Sequence, residues 1–315
     1  MTVSVNRRDF FKKSGLALAG AGLVLPTVNG VTTIAMAQNG AAASAAPVSF
    51  KKAVKLSMVE GATVLDKFKL VKECGFHGID VDGPPLKHEE VLKARDETGL
   101  TIHGVVTFTH WSQPLSHPDP KVRENGLNGL LQAIKDAKAY GGTTVLLVVG
   151  IVNKEISYAE AYARTQEEIK KALPLAMELG IKIAFENVWN MFLLSPLEFA
   201  RYIDEFQNPN VGAYFDVGNV INYGWPEQWI KTLGKRILKV DVKEYSRKRR
   251  DEKGPYAGFG VQLGEGDCDW PAVLKALGEV GITEAWGTAE VPGGGKERLL
   301  DISTRMDKIL QIKKV

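Results

Sequence analysis

Arg236-Ile237-Leu238-Lys239-Val240-Asp241-Val242-Lys243 alternates along its length, so as a β-strand it puts Leu238, Val240 and Val242 on one face and Lys239, Asp241 and Lys243 on the other. The apolar face suits packing under helices. Charges that line a barrel interior are expensive unless they serve something, so the second face marks a working surface at the carboxyl end of the strand.

Three neighbouring stretches repeat the pattern. In residues 181–186, Ile181, Ile183 and Phe185 share the apolar face and Lys182, Ala184 and Glu186 the inner one. In residues 211–216, Val211, Ala213 and Phe215 face out while Gly212, Tyr214 and Asp216 face in. In residues 285–290, Trp286, Thr288 and Glu290 share a face. Four successive strands thus each deliver an acidic side chain to one rim. Carboxylates converging in this way repel each other without a cation, which is the physical case for a divalent metal held by Glu186, Asp216, Asp241 and Glu290. Each residue also has an ordinary reading. Asp216 before Val217-Gly218-Asn219 suits a turn, Glu186 or Glu290 a salt-bridged rim, and Asp241 can pair with Lys239 or Lys243. Their recurrence at one height on adjacent strands favours the joint reading.

Further out, short β-branched runs at 55–59, 78–82, 101–107 and 144–149 bring the strand total to eight. Segments of helical period alternate with the strands, at 64–74, 89–98, 122–140, 158–179, 196–206, 226–233, 271–280 and 297–312. Eight such units over about 260 residues predict a single (β/α)8 TIM barrel of the α/β class. A doubly wound open sheet is the competing architecture. It carries a Gly-rich phosphate turn after an early strand, and none follows Val59 or Asp82, which also speaks against a nicotinamide enzyme.

The chain has 315 residues, and its 44% hydrophobic content supplies a full core and excludes disordered and collagen-like architectures. Its formal charge of +3 resides in the first 37 residues, where Arg7, Arg8, Lys12 and Lys13 face Asp9 alone. The remainder is balanced, which gives no electrostatic reason to bind nucleic acid. Asn6-Arg7-Arg8-Asp9-Phe10-Phe11-Lys12-Lys13, an apolar run over 15–25 and Ala35-Met36-Ala37 have the layout of an export signal. The paired arginines resemble the twin-arginine type, whose translocon carries folded proteins, so the expected location is periplasmic or otherwise exported. The expected organisation is a signal over 1–37, an Ala-rich tether over 38–49 and the barrel over 50–315. An uncleaved anchor is the alternative, but the apolar run is well short of the roughly 20 residues a spanning helix needs. Cys74 and Cys268 are the two cysteines, and folding in a reducing cytosol argues against a disulfide between them.

Ala184-Phe185-Glu186-Asn187, Tyr214-Phe215-Asp216-Val217-Gly218-Asn219, Lys239-Val240-Asp241-Val242-Lys243-Glu244, Leu263-Gly264-Glu265-Gly266-Asp267 and Thr288-Ala289-Glu290 together resemble the sugar isomerase/epimerase family of xylose-isomerase-like barrels. Gly75-Phe76-His77-Gly78-Ile79-Asp80 is similar to the family's second-strand signature. The resemblance covers the chain after the export signal. It implies one divalent ion, commonly manganese, held by Glu, Asp, His and Glu, with the two glutamates also moving protons. Carried across, Glu186, Asp216 and Glu290 match, and Glu186 and Glu290 become the catalytic candidates. At the third position Asp241 stands where the family has a liganding imidazole, and no histidine follows His117. An all-oxygen shell favours manganese, magnesium or calcium over zinc or copper. The alternative is that Asp241 marks a site that no longer binds metal.

The chemistry that the resemblance implies is proton removal from carbon beside a carbonyl, through an enediolate, in a small sugar or keto-glycoside. Reprotonation on the opposite face makes an epimerase or isomerase. Expulsion of a neighbouring leaving group makes a lyase acting on a 3-keto-glycoside, and a non-catalytic sugar-binding barrel is the third reading. Trp111 and Trp189 lie just beyond strand ends and suit stacking on a sugar face, though tryptophans there also serve ordinary packing. His103, mid-strand and better suited to an interior hydrogen bond than to a base, joins Asn219, Lys243 and Gln262 as the remaining substrate-binding candidates. Arg247-Lys248-Arg249-Arg250 reads as a basic run on the long loop after the seventh strand, suited to an anionic substrate or simply solvated beside Asp251 and Glu252. The resemblance also implies a homodimer.

Overall fold

The structure, a computed structural model, describes residues 47–312; the expected export signal and most of the Ala-rich stretch lie outside them. Eight parallel strands close into a barrel in sequence order: β1 (Ser49–Lys55), β2 (Gly78–Val81), β3 (Thr101–Val106), β4 (Thr144–Leu147), β5 (Lys182–Glu186), β6 (Val211–Asp216), β7 (Ile237–Val242) and β8 (Glu284–Ala289). β8 returns to pair with β1, so no edge is left open.

Outside the barrel run α1 (Val64–Glu73), α2 (His88–Thr98), α3 (Pro120–Tyr140), α4 (Tyr158–Leu179), α5 (Pro196–Asp204), α6 (Val217–Ile221), α7 (Pro226–Leu233), α8 (Arg247–Lys253), α9 (Trp270–Glu279) and α10 (Lys296–Ile309). The main core lies between strands and helices, where Ile183, Phe185, Ala213, Phe215, Val240 and Val242 face Leu130, Ile134, Ile169 and Phe199. That is the outward apolar face that alternation predicts for β5, β6 and most of β7.

Three expectations need correction. The first strand is Ser49–Lys55, not 55–59, where Leu56–Met58 form a 3-10 turn. Its Lys52 is buried because the ammonium donates to Ser303 and pairs with Asp307 on α10, so a cation occupies an outward position that alternation reserves for an apolar residue. Leu238 does not join Val240 and Val242. β7 carries one extra residue against β6 here, since Ala213 pairs with Ile237 and Tyr214 with Lys239, and the bulge packs Leu238 against the inner cluster of Leu146, Ala184 and Tyr214. The basic run is helix α8, not loop. Its arginines are spent on backbone carbonyls: Arg247 donates to Ile221 O and Gly224 O at 2.9 and 2.8 Å, Arg250 to Asn222 O at 2.8 Å and Arg249 to Ala257 O at 3.3 Å. Cys74 and Cys268 are both free, and no described helix is long and apolar enough to cross a membrane.

Candidate active site

Glu186 and Asp216 are the last residues of β5 and β6, Asp241 is the penultimate residue of β7, and Glu290 follows β8. One carboxylate oxygen from each lies within 4.8 Å of the others. Opposite ligands of a hard divalent ion sit at twice the metal–oxygen distance, roughly 4.2–5 Å, so the spacing fits one ion. Asp216 and Asp241 are fully buried and Glu186 nearly so. Asp241 Oδ1 accepts no hydrogen bond, and Asp216 Oδ2 and Glu290 Oε2 approach ammonium groups without hydrogen-bond geometry. Buried acceptors of this kind are rare unless something completes them. The acidic cluster can therefore hold a divalent metal.

Two lysines share the cluster. Lys243 Nζ lies 2.9 Å from Asp216 Oδ2 and 3.2 Å from Glu290 Oε1. Lys55, at the end of β1, places Nζ 3.0 Å from Asp241 Oδ2 and 3.4 Å from Glu290 Oε2. These charges separate the two glutamates. Burial and the nearby Glu290 push Glu186 up to about 8. Burial raises Glu290 as well, but Lys243 and Lys55 outweigh it and hold that carboxyl well below the usual range. Without a cation, then, the two glutamates differ in proton affinity.

The loops after β6 and β7 are built around these groups. Asp216 caps α6 by accepting the Asn219 N–H through Oδ1 at 2.8 Å, while Asn187 bonds the Asp216 backbone through both ends of its amide. Gly218 has no side chain because a Cβ would come within 2.7 Å of Lys243. After β7, buried Glu244 accepts the N–H groups of Gly264 and Cys268 and the Trp270 indole, which fixes the Gly264-Glu265-Gly266 turn. A Cβ on Gly266 would lie 2.6 Å from the Glu244 carboxylate.

Above the carboxylates opens a cavity of about 400 Å³ lined by Lys55, Asp82, His110, Trp111, Glu186, Trp189, Asn219, Lys243, Tyr256, Phe259 and Glu290, among others. Trp189 donates to Asn219 O at 2.9 Å and packs against Phe259 and Tyr256, with ring centroids 4.9 and 5.2 Å away. Trp111 is half exposed and edge-on to His110. Burial lowers His110 to about 4, and its Nδ1 accepts the Val148 N–H at 3.2 Å, so the ring is neutral with its remaining N–H on Nε2.

Trp111, Trp189, Asn219 and Lys243 are therefore brought together with the four carboxylates. His103 and Gln262 are not. His103 is the extra residue of a bulge on β3 and lies in the barrel interior, stacked on Trp286 at 4.5 Å and bonded to Lys239 Nζ and Thr288 Oγ1. Beside it Tyr214 donates to Asp80 at 2.5 Å, so this polar layer forms the floor and is closed to a substrate. Gln262 accepts from Arg298 at 2.6 Å beside the start of α10, away from the cavity. Missed by sequence reading were Lys55, Asp82, His110 as a lining group, Tyr256 and Phe259. Asp82 alone carried a signal, as the acidic last residue of the strand expected over 78–82, whereas Lys55 stood at the start of the strand expected over 55–59.

Closed barrel and carboxylate mouth define the class, and comparison supplies the family. The family described as xylose isomerase-like TIM barrel matches residues 68–309, and the chain belongs to it. An L-ribulose-5-phosphate 3-epimerase of Escherichia coli O1:K1 / APEC is 24% identical over 272 residues, covering 79% of this chain and 92% of that protein. Among solved structures, a D-tagatose 3-epimerase-like protein superimposes with a TM-score of 0.71 at 18% identity, covering 83% of this chain and 97% of the other. The 3-keto-D-glucoside 4-epimerase of E. coli in its apo form gives 0.69 at 17% identity, covering 84% and 100%. The first and third of these are, by name, sugar epimerases and thus isomerases, and the structural matches establish the fold.

Proposed function

We propose that the protein is an isomerase that epimerises a ketose or keto-sugar by moving a proton on carbon beside a carbonyl. Glu186, Asp216, Asp241 and Glu290 would hold one divalent cation, manganese, magnesium or calcium ahead of zinc or copper because every donor is a hard oxygen. The observation that carries this reading is the convergence of four carboxylate oxygens within 4.8 Å at the base of a sugar-sized cavity. When bound, the cation supplies positive charge toward oxygens of the substrate.

Glu186 and Glu290, the two glutamates that reach the cavity, would carry the protons, one taking a proton from carbon and the other returning one to the opposite face of the enediolate. Epimerisation needs a proton acceptor and a proton donor, and two glutamates reaching one cavity provide both. Trp111 and the Trp189–Phe259 wall offer rings to the apolar faces of a sugar. Among the described residues lining the cavity, both lysines are already paired with carboxylates, and the arginines of α8 are held by carbonyls. This favours a neutral sugar over a phosphorylated one. The Arg7-Arg8 segment would export the folded enzyme, and a R7K/R8K variant would then remain in the cytosol.

The test is incubation of metal-loaded protein with neutral ketoses and 3-keto-glycosides in deuterated water, followed by NMR. Deuterium at one carbon with inversion there supports the reading. Release of an aglycone would make the enzyme a lyase, and no exchange with any candidate would leave only sugar binding.

A further inference from the structure

An aspartate at the third ligand position adds a negative charge that an imidazole would not, and the structure carries its counterpart on another strand. Lys55 ends β1, next to β8, and is 6% exposed. A lysine so buried needs a partner for its charge. Its Nζ lies 3.0 Å from Asp241 Oδ2 and 5.2 Å from the Tyr214 ring centroid. The other Asp241 oxygen, Oδ1, is buried without a hydrogen bond and is the oxygen left for the shared centre. Asp241 is thus divided, one oxygen to an ammonium and one to the cluster. Four carboxylates with Lys55 and Lys243 carry a net −2, which balances one divalent cation; without Lys55 the same shell carries −3.

We propose that Lys55 and Asp241 act as one unit, in which the β1 ammonium cancels the charge of the β7 carboxylate so that the pair presents the cation with a donor of the same formal charge as an imidazole. Lys55 is here a positioning residue, acting through Asp241. The inference rests on the metal-binding reading above. It also accounts for the pairing of two departures from an ordinary barrel interior, a ligand aspartate in place of histidine and a buried lysine opposite it.

The test is a double-mutant cycle on the full-length protein, reading the Mn²⁺ dissociation constant by titration calorimetry for wild type, K55M, D241H and K55M/D241H, with circular dichroism confirming that each is folded. D241H alone leaves the Lys55 ammonium with Glu290, 3.4 Å away, as its remaining carboxylate and facing a neutral ring and a 2+ ion, and should weaken binding by roughly a hundredfold. Adding K55M to it should restore affinity to within about tenfold of wild type, whereas K55M alone should not weaken binding. K55Q and D241N provide the same cycle if either first choice fails to fold. Equal affinities for D241H and the double variant, with tight binding by the wild type, would overturn this inference alone. A wild type that binds no Mn²⁺, Mg²⁺ or Ca²⁺ would overturn the metal reading and this inference with it.

Discussion

Asp216 accepts the backbone N–H of Asn219 at 2.8 Å through one carboxylate oxygen and turns the other toward Lys243 Nζ, 2.9 Å away. One oxygen thus serves the turn, which leaves the other for the cation proposed above. An asparagine keeps the cap but not the charge. D216N should therefore unfold, in chelator, within about 0.5 kcal/mol of the wild type, whereas D216A should lose about 1 kcal/mol more through the missing cap. Both should lose a hundredfold or more in divalent-ion affinity. Thermal unfolding in chelator and metal titration separate the two roles, and equal stabilities for D216N and D216A would show that the cap contributes nothing.

The raised proton affinity of Glu186 makes metal binding depend on pH. Burial and Glu290 push this carboxyl up to about 8, so the folded, metal-free protein holds the proton more tightly than the unfolded chain. The stability contributed by that proton is fully present below the ordinary carboxylate range and is lost as pH rises through about 8. A divalent ion must displace the proton, so its affinity should climb between pH 6 and 8 by up to about tenfold per unit and level off above. Calorimetric titrations at pH 6, 7, 8 and 9 would check this. E186Q, which has no proton to displace, should bind weakly with a flatter profile, and an unchanged slope in that variant would point to another group.

What was legible in the sequence, and what was not, follows from how local each constraint is. Glu186, Asp216 and Glu290 could be read because alternation within a few residues fixes the face and the strand end fixes the height. Lys55 could not, because the partner that makes its burial tolerable, Asp241, is 186 residues away. The same holds for Lys52 and Asp307, 255 residues apart, which is why the charged Ser49–Lys55 segment did not read as a strand. The bulge at Leu238 reverses a face without any mark in composition, and His103, mid-strand, is held in the floor by Lys239 and Thr288 from distant strands. The run 247–250 looked solvated because nothing local shows that the carbonyls of Ile221, Asn222 and Gly224 wait for it.

Those carbonyls make a prediction about α8. Arg247 holds Ile221 O and Gly224 O, whereas Lys248 is exposed. R247A should cost about 1–2 kcal/mol through lost charged hydrogen bonds to partly buried acceptors. K248A should change neither stability nor substrate affinity. A captured phosphate would reverse the pattern, with K248A raising KM for an anionic substrate at low salt, so KM measured at two salt concentrations for both variants decides the role of the run.

Trp111 and Trp189 line the same cavity but stand in different surroundings, and their alanine variants should differ accordingly. Trp111 is 50% exposed and edge-on to His110, so its removal leaves the fold nearly intact and takes away one stacking surface. W111A should raise KM for a neutral ketose roughly two- to tenfold, the range expected for one aromatic contact, with kcat and melting temperature little changed. Trp189 donates to Asn219 O and packs with Tyr245, Tyr256 and Phe259, so it holds together the loops that carry Asn219 and Lys243. W189A should lose about 2 kcal/mol or more of stability and lower kcat as well, since displacement of Asn219 disturbs the Asp216 cap beside it. Steady-state kinetics with parallel thermal melts tests both. If W111A left KM unchanged while W189A altered only stability, neither ring would contact the substrate, and the sugar would have to be held by the polar groups around the carboxylates.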